Sequence, residues 1–138
     1  MVLQSGLSEV VADEEPLARF LTSSSLFNAA MVKPAAYMPS PKDGNTSVFR
    51  HGDNPREALF QLALQHVGAE RSLHGVALCS ARQVRDAELE VVAQEPPPRH
   101  ANITGWPSVG NDPAQTKAQQ KERALLVAQH ATLIRHSR

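Results

Sequence analysis

Between Pro96 and Pro107 the chain reads Pro96-Pro97-Pro98-Arg99-His100-Ala101-Asn102-Ile103-Thr104-Gly105-Trp106-Pro107, and no other stretch restricts the backbone as strongly. Four of the ten prolines and the only tryptophan fall here. Each proline fixes φ and removes a backbone donor, while Gly105 opens angles closed to other residues. The segment is therefore expected to be a rigid, shaped loop, neither a regular helix nor a central strand. Such loops often carry binding groups, and His100 and Asn102, beside an inward-pinned Ile103, are candidates to face outward on a fixed frame. Trp106 is expected to be a buried anchor, because aromatic residues make up only 4% of the chain and its core has few large side chains.

The rest of the chain is punctuated by turn and cap signals. Residues 1–11 read as a weakly ordered tail and residues 12–138 as one α+β domain. Pro16 to Leu21 suggests a short helix ended by Ser23-Ser24-Ser25. Met31 to Met38 reads as an extended segment and Thr46 to Arg50 as a strand, with a turn-rich link that makes a hairpin of the two. Asn54-Pro55 starts a helix to about Val67, whose Leu59, Phe60, Ala63, Leu64 and Val67 share one face. Leu73 to Ser80 and Leu89 to Val92 are apolar strands, separated by a polar stretch suited to a helical turn. Asp112-Pro113 opens the longest helix, expected to reach about His136. The fold class is α+β, a small, mostly antiparallel sheet with helices packed on one face. No glycine-rich phosphate loop accompanies it, which disfavours a dinucleotide-binding parallel sheet.

Charge excludes several functions. Lys plus Arg and Asp plus Glu stand at 14 each, so no bulk field draws nucleic acid or an anionic membrane. No apolar run approaches the ~20 residues needed to span a bilayer, the acidic N-terminus is unlike a signal peptide, and the single Cys79 cannot form an internal disulfide. A cytoplasmic protein is expected. The charge is uneven, with residues 1–20 at net −3 and residues 117–138 at net +4.

Arginine and histidine recur together, as Arg50 with His51, Arg71 with His74, Arg99 with His100, and Arg135 with His136. Guanidinium forks hold phosphate or carboxylate, and a neighbouring imidazole moves a proton. Convergence of Arg50, His51, His74, Arg99, His100 and Asn102 would suit an enzyme or binding domain for a phosphoester or nucleotide. The histidines lack the local spacing of zinc ligands, so neither a metal nor another cofactor is expected. In the last helix Leu126 and Leu133, seven apart and off the core stripe, suggest an interface for a protein partner or a homodimer. A small accessory module working through a protein partner is the leading functional expectation, and the phosphoester-binding enzyme is its alternative.

Arg50-His51-Gly52 resembles the signature of the histidine phosphatase superfamily, in which His51 would be the phosphorylated nucleophile and Arg50 a phosphate ligand. Leu73-His74-Gly75 resembles its later His-Gly element. Here the two histidines lie 23 positions apart, whereas that family separates them by most of a larger α/β domain, so the match stays at a few residues. Over residues 30–135 the Thr46-Ser47-Val48-Phe49-Arg50 strand and the Arg99-His100-Ala101-Asn102-Ile103-Thr104-Gly105-Trp106-Pro107 loop resemble a group of small, uncharacterised bacterial proteins. That resemblance implies a bacterial cytosolic origin and no particular activity.

Overall fold

The computed structural model describes residues 3–50, 56–67 and 72–135. Its centre is a six-stranded antiparallel sheet made of β1 (Pro16–Leu21), β2 (Thr46–Arg50), β3 (Gly75–Ser80), β4 (Glu90–Ala93), β5 (His100–Thr104) and β6 (Thr132–Arg135). They lie in the order β4-β5-β2-β1-β3-β6. Among the described residues three α-helices accompany them, α1 (Arg56–Val67), α2 (Ala81–Asp86) and α3 (Pro113–Ala128). The α+β class and the antiparallel sheet are as expected.

Side-chain alternation divides the sheet into two faces. Leu17, Leu21, Val48, Ala77, Cys79, Val91, Ala101 and Ile103 point into the larger core. Ala124, Val127 and Ala128 of α3, with Ala36 and Tyr37 of a 3₁₀ turn at Pro34–Tyr37, close it. Ala18 and Val76 point the opposite way and meet Leu59 and Ala63 of α1. The helical cover thus extends to a second face, where α1 lies over β1 and β3.

Several local expectations are met. Thr46–Arg50 is a strand, and the polar stretch after β3 forms the helical turn α2, which Ser80 starts with a capping box not singled out in the sequence, its hydroxyl accepting from the Gln83 amide. Asp112 caps α3 ahead of Pro113 at 3.0 Å from the Gln115 amide. Residues 54 and 55, the expected cap of α1, lie outside the described residues.

Others are corrected. Pro16–Leu21 is an interior strand, because Leu17 and Leu21 fit a two-residue as well as a helical period and β3 pairs all six residues. Pro34–Tyr37 is a 3₁₀ turn, so no hairpin joins it to β2. His100–Thr104, expected to be a loop, is β5, paired with both β2 and β4. The prolines stop at Pro98 and leave β5 its full set of donors. Trp106 is partly buried, and its indole N–H donates to the Ile103 carbonyl at 3.1 Å. α3 ends at Ala128, eight residues early, and Thr132-Leu133-Ile134-Arg135 instead completes the sheet beside β3. Leu133 therefore packs on the larger core from a strand while Leu126 stays 43% exposed on α3, and the two leucines do not form one helical stripe.

The N-terminal segment, expected to be a loose tail, makes specific contacts. The Ser5 amide and hydroxyl both donate to the Glu95 carboxylate, the Ser8 carbonyl accepts from Arg50, and Val11 is buried in the core. Just after it, Glu15 pairs with Arg50 and Asp13 with Arg85.

Candidate functional site

β1 pairs with β3 at six positions but with β2 at only two, Leu17 opposite Arg50 and Ala18 opposite Phe49. Beyond Ala18 these two strands have no ladder between them. The Arg50 amide donates to the Arg99 carbonyl, towards β5, so by alternation the polar groups of Ser47 turn the other way, towards β1. The Arg19 side chain serves that gap. Its Nε donates to the Ala36 carbonyl at 2.8 Å and its Nη1 to the Ser47 carbonyl at 2.8 Å. Burial pulls the guanidinium below its ordinary pKa.

A pocket of about 320 Å³ opens beside this gap, with Arg19, Thr22, Ser47, His66 and His100 supplying polar groups and Phe20, Phe49, Val67 and Pro97 its apolar wall. Phe49 is the centre of the wall. It stacks on Phe20 with ring centroids 5.0 Å apart, lies under His66 at 4.3 Å and meets the edge of His100 at 5.3 Å. Desolvation, and then the charge of His100, lower the pKa of His66, which favours its neutral form on the ring.

His100 is held at both nitrogens. Nδ1 lies 2.9 Å from the Gln94 carbonyl and Nε2 lies 2.7 Å from Ser47 Oγ. A carbonyl only accepts, so Nδ1 carries the hydrogen, and in its neutral form the ring presents a bare Nε2 to the Ser47 hydroxyl. The hydroxyl is then the donor. Ser47 and His100 are diagonal neighbours across the β2–β5 ladder, in which Ser47 faces Asn102 and Phe49 faces His100.

Electrostatically the pocket is one-sided. Arg50, Arg85 and Arg123 all have carboxylate partners, whereas Arg19 forms no ion pair with any described residue. A partly buried cation in that position favours an anion.

Of the other residues singled out in the sequence, Arg50, His74, Arg99 and Asn102 do not line this pocket. Arg50 is 1% exposed and forked onto Glu15, with Nε to Oε1 at 2.8 Å and Nη2 to Oε2 at 2.7 Å. Arg99 donates through Nη1 to the Arg50 carbonyl and through its amide to Glu95. The Asn102 amide group donates to the Gln94 side chain. The His74 backbone amide donates to the Leu21 carbonyl at the start of β3. His51, Arg71 and His136 lie outside the described residues. Arg19, Ser47 and His66 were missed because only the partial unzipping of β1 from β2 brings them together. Among the described residues no group of three His, Cys, Asp or Glu side chains is placed to hold a metal.

No family model matches the chain, and neither the curated proteins nor the solved structures searched contain a match to it.

Proposed function

We propose that the chain is a small binding module whose ligand carries an anionic oxo group, carboxylate or phosphoryl, on a flat apolar body. The observation that supports this most is Arg19, a partly buried guanidinium without a carboxylate partner among the described residues, lining a pocket walled by Phe20 and Phe49. The anion neutralises Arg19 while the flat body stacks in the aromatic wall, beside His66 and His100. This keeps the anion chemistry expected of an Arg and His pair but transfers the arginine's role from Arg50 to Arg19.

Titration with benzoate, phenyl phosphate and inorganic phosphate, followed through the imidazole NMR signals, tests the reading. Saturable shifts of His66 and His100 are expected, stronger for the two aromatic anions and abolished by Arg19→Gln. A folded wild-type protein that shows no saturation by about 10 mM of any of the three refutes it.

A second reading, docking of a protein partner or a second copy on α3, has one observation in its favour. Leu125 and Leu126 are adjacent and 45% and 43% exposed. The cytoplasm, where a lone thiol such as Cys79 stays reduced, is the compartment we propose for either role.

A further inference from the structure

Ser47, His100 and the Gln94 carbonyl make a chain of three groups, with 2.7 Å between hydroxyl and imidazole and 2.9 Å between imidazole and carbonyl. Nucleophile, base and orienting acceptor are in the order that acyl transfer requires. A hydrogen bond between two side chains on an open sheet would by itself be unremarkable. Here both lining groups also face the pocket of Phe20, Phe49 and Arg19, whose apolar wall can take an acyl or aryl group and whose cation favours developing negative charge.

We propose that Ser47 and His100 are the nucleophile and general base of a hydrolase for small carboxylic esters, with Arg19 as the electrostatic partner of the oxyanion. The inference rests on the anion-binding reading of the same pocket, since the carboxylate product is a ligand of the class proposed above. Ser47 Oγ gives its proton to His100 Nε2 as its lone pair forms a bond to the ester carbon, and the carbonyl pair moves to oxygen opposite Arg19. The tetrahedral centre collapses, the bond to the alkoxy oxygen breaks, and the imidazolium protonates the leaving alcohol. Water then attacks the acyl-serine, passing a proton to Nε2, and the carboxylic acid departs as Ser47 Oγ recovers its proton. No redox partner is needed. The Gln94 carbonyl keeps Nδ1 protonated and the ring oriented, but unlike a carboxylate it cannot neutralise the imidazolium. Turnover should therefore be slow and acylation easier to detect than multiple cycles.

The test treats the full chain with a fluorophosphonate ester and with p-nitrophenyl butyrate, reading intact mass and the modified peptide. One phosphonyl group on Ser47 is expected, absent in Ser47→Ala and formed about 100-fold or more slowly in His100→Gln, the range in which a positioned base acts. Ser47 and His100 are at least partly exposed, so both variants are expected to fold, and circular dichroism confirms it. An unlabelled Ser47, or His100→Gln labelled within threefold of wild type, overturns the inference. Benzoate titration of the same samples separates the two proposals. Binding lost in Arg19→Gln but without labelling of Ser47 leaves the anion pocket standing and removes the hydrolase, whereas absence of both removes the pair.

Discussion

Replacing Glu15 by Gln tests whether Arg50 is structural. Arg50 is 1% exposed and Glu15 20% exposed, so this pair lies between a buried and a surface salt bridge. Glu15 accepts from Nε and Nη2 of Arg50 and from the Ala12 amide, and the Ser8 carbonyl accepts from Arg50 Nη1. Removing one partner of a fully buried pair costs about 3–5 kcal/mol, and an exposed pair contributes about 0–1. With the carboxylate one-fifth exposed and Gln still able to accept one bond, about 2–3 kcal/mol is expected for Glu15→Gln. Each kcal/mol moves the melting midpoint by roughly 3–5 °C in a chain of this size, so calorimetry should show a fall of roughly 6–15 °C. Replacing both residues with apolar ones, Glu15→Leu with Arg50→Met, should recover at least half of the loss, because the desolvation of the arginine disappears with it.

The pair also sets an acid dependence. Burial raises the Glu15 pKa, but the Arg50 hydrogen bond, the Ala12 amide and the nearby arginine charges outweigh it and hold the carboxyl below its ordinary value of 4.5. The unfolded chain then binds the proton more readily, so the stabilisation is complete above the unfolded pKa and is lost as pH falls through the folded one. Glu15→Gln should flatten urea midpoints between about pH 5 and pH 3 relative to wild type. A loss under about 1 kcal/mol at pH 7, with the acid slope unchanged, would show that the pair behaves as a surface bridge and that Arg50 is free for another role.

The remaining predictions concern β6, the thiol and α3. A Cβ on Gly75 would sit 2.8 Å from the Ile134 carbonyl oxygen and 3.4 Å from Arg135 Cα, both backbone atoms, so Gly75→Ala should cost about 1–3 kcal/mol and speed hydrogen exchange in β6 but not in β4. Equal protection of β6 in mutant and wild type would refute that contact. Burial pushes the Cys79 thiol up to about 11, so a maleimide at pH 7 should leave the folded protein unmodified and label it fully in denaturant. Rapid native labelling would place Cys79 near the surface. Leu126→Glu should change stability by no more than about 0.5 kcal/mol, and Leu133→Glu, which puts a charge against the core from β6, should cost about 2 kcal/mol or more. A wild-type dimer in sedimentation that Leu126→Glu dissociates would favour the docking reading.

Local chemistry made much of this molecule legible in the amino-acid sequence. The cap before α3, the β2 strand and the Leu59 and Ala63 part of the apolar face of α1 depend on residues within a few positions of each other, and so does the α+β class they add up to, although Leu64 of that face stays 46% exposed. Wherever two periods fit the same residues, only the partner decided. Leu17 and Leu21 suit a helix turn until β3 supplies a six-residue ladder, and Thr132 to Arg135 could have prolonged α3 but for the open edge of β3. His100 to Thr104 sits among prolines, yet its own donors are intact, and β2 and β4 use them from either side. The same limit applies to the site. His100 was visible as a candidate, but Arg50 was drawn away by Glu15, 35 positions earlier, and Arg19 gained its place only because β1 leaves β2 after two pairs. Spacing along the chain reports which groups can share a turn or a face. Which charge finds a partner, and which is left lining a pocket, depends on contacts between distant strands that spacing does not encode.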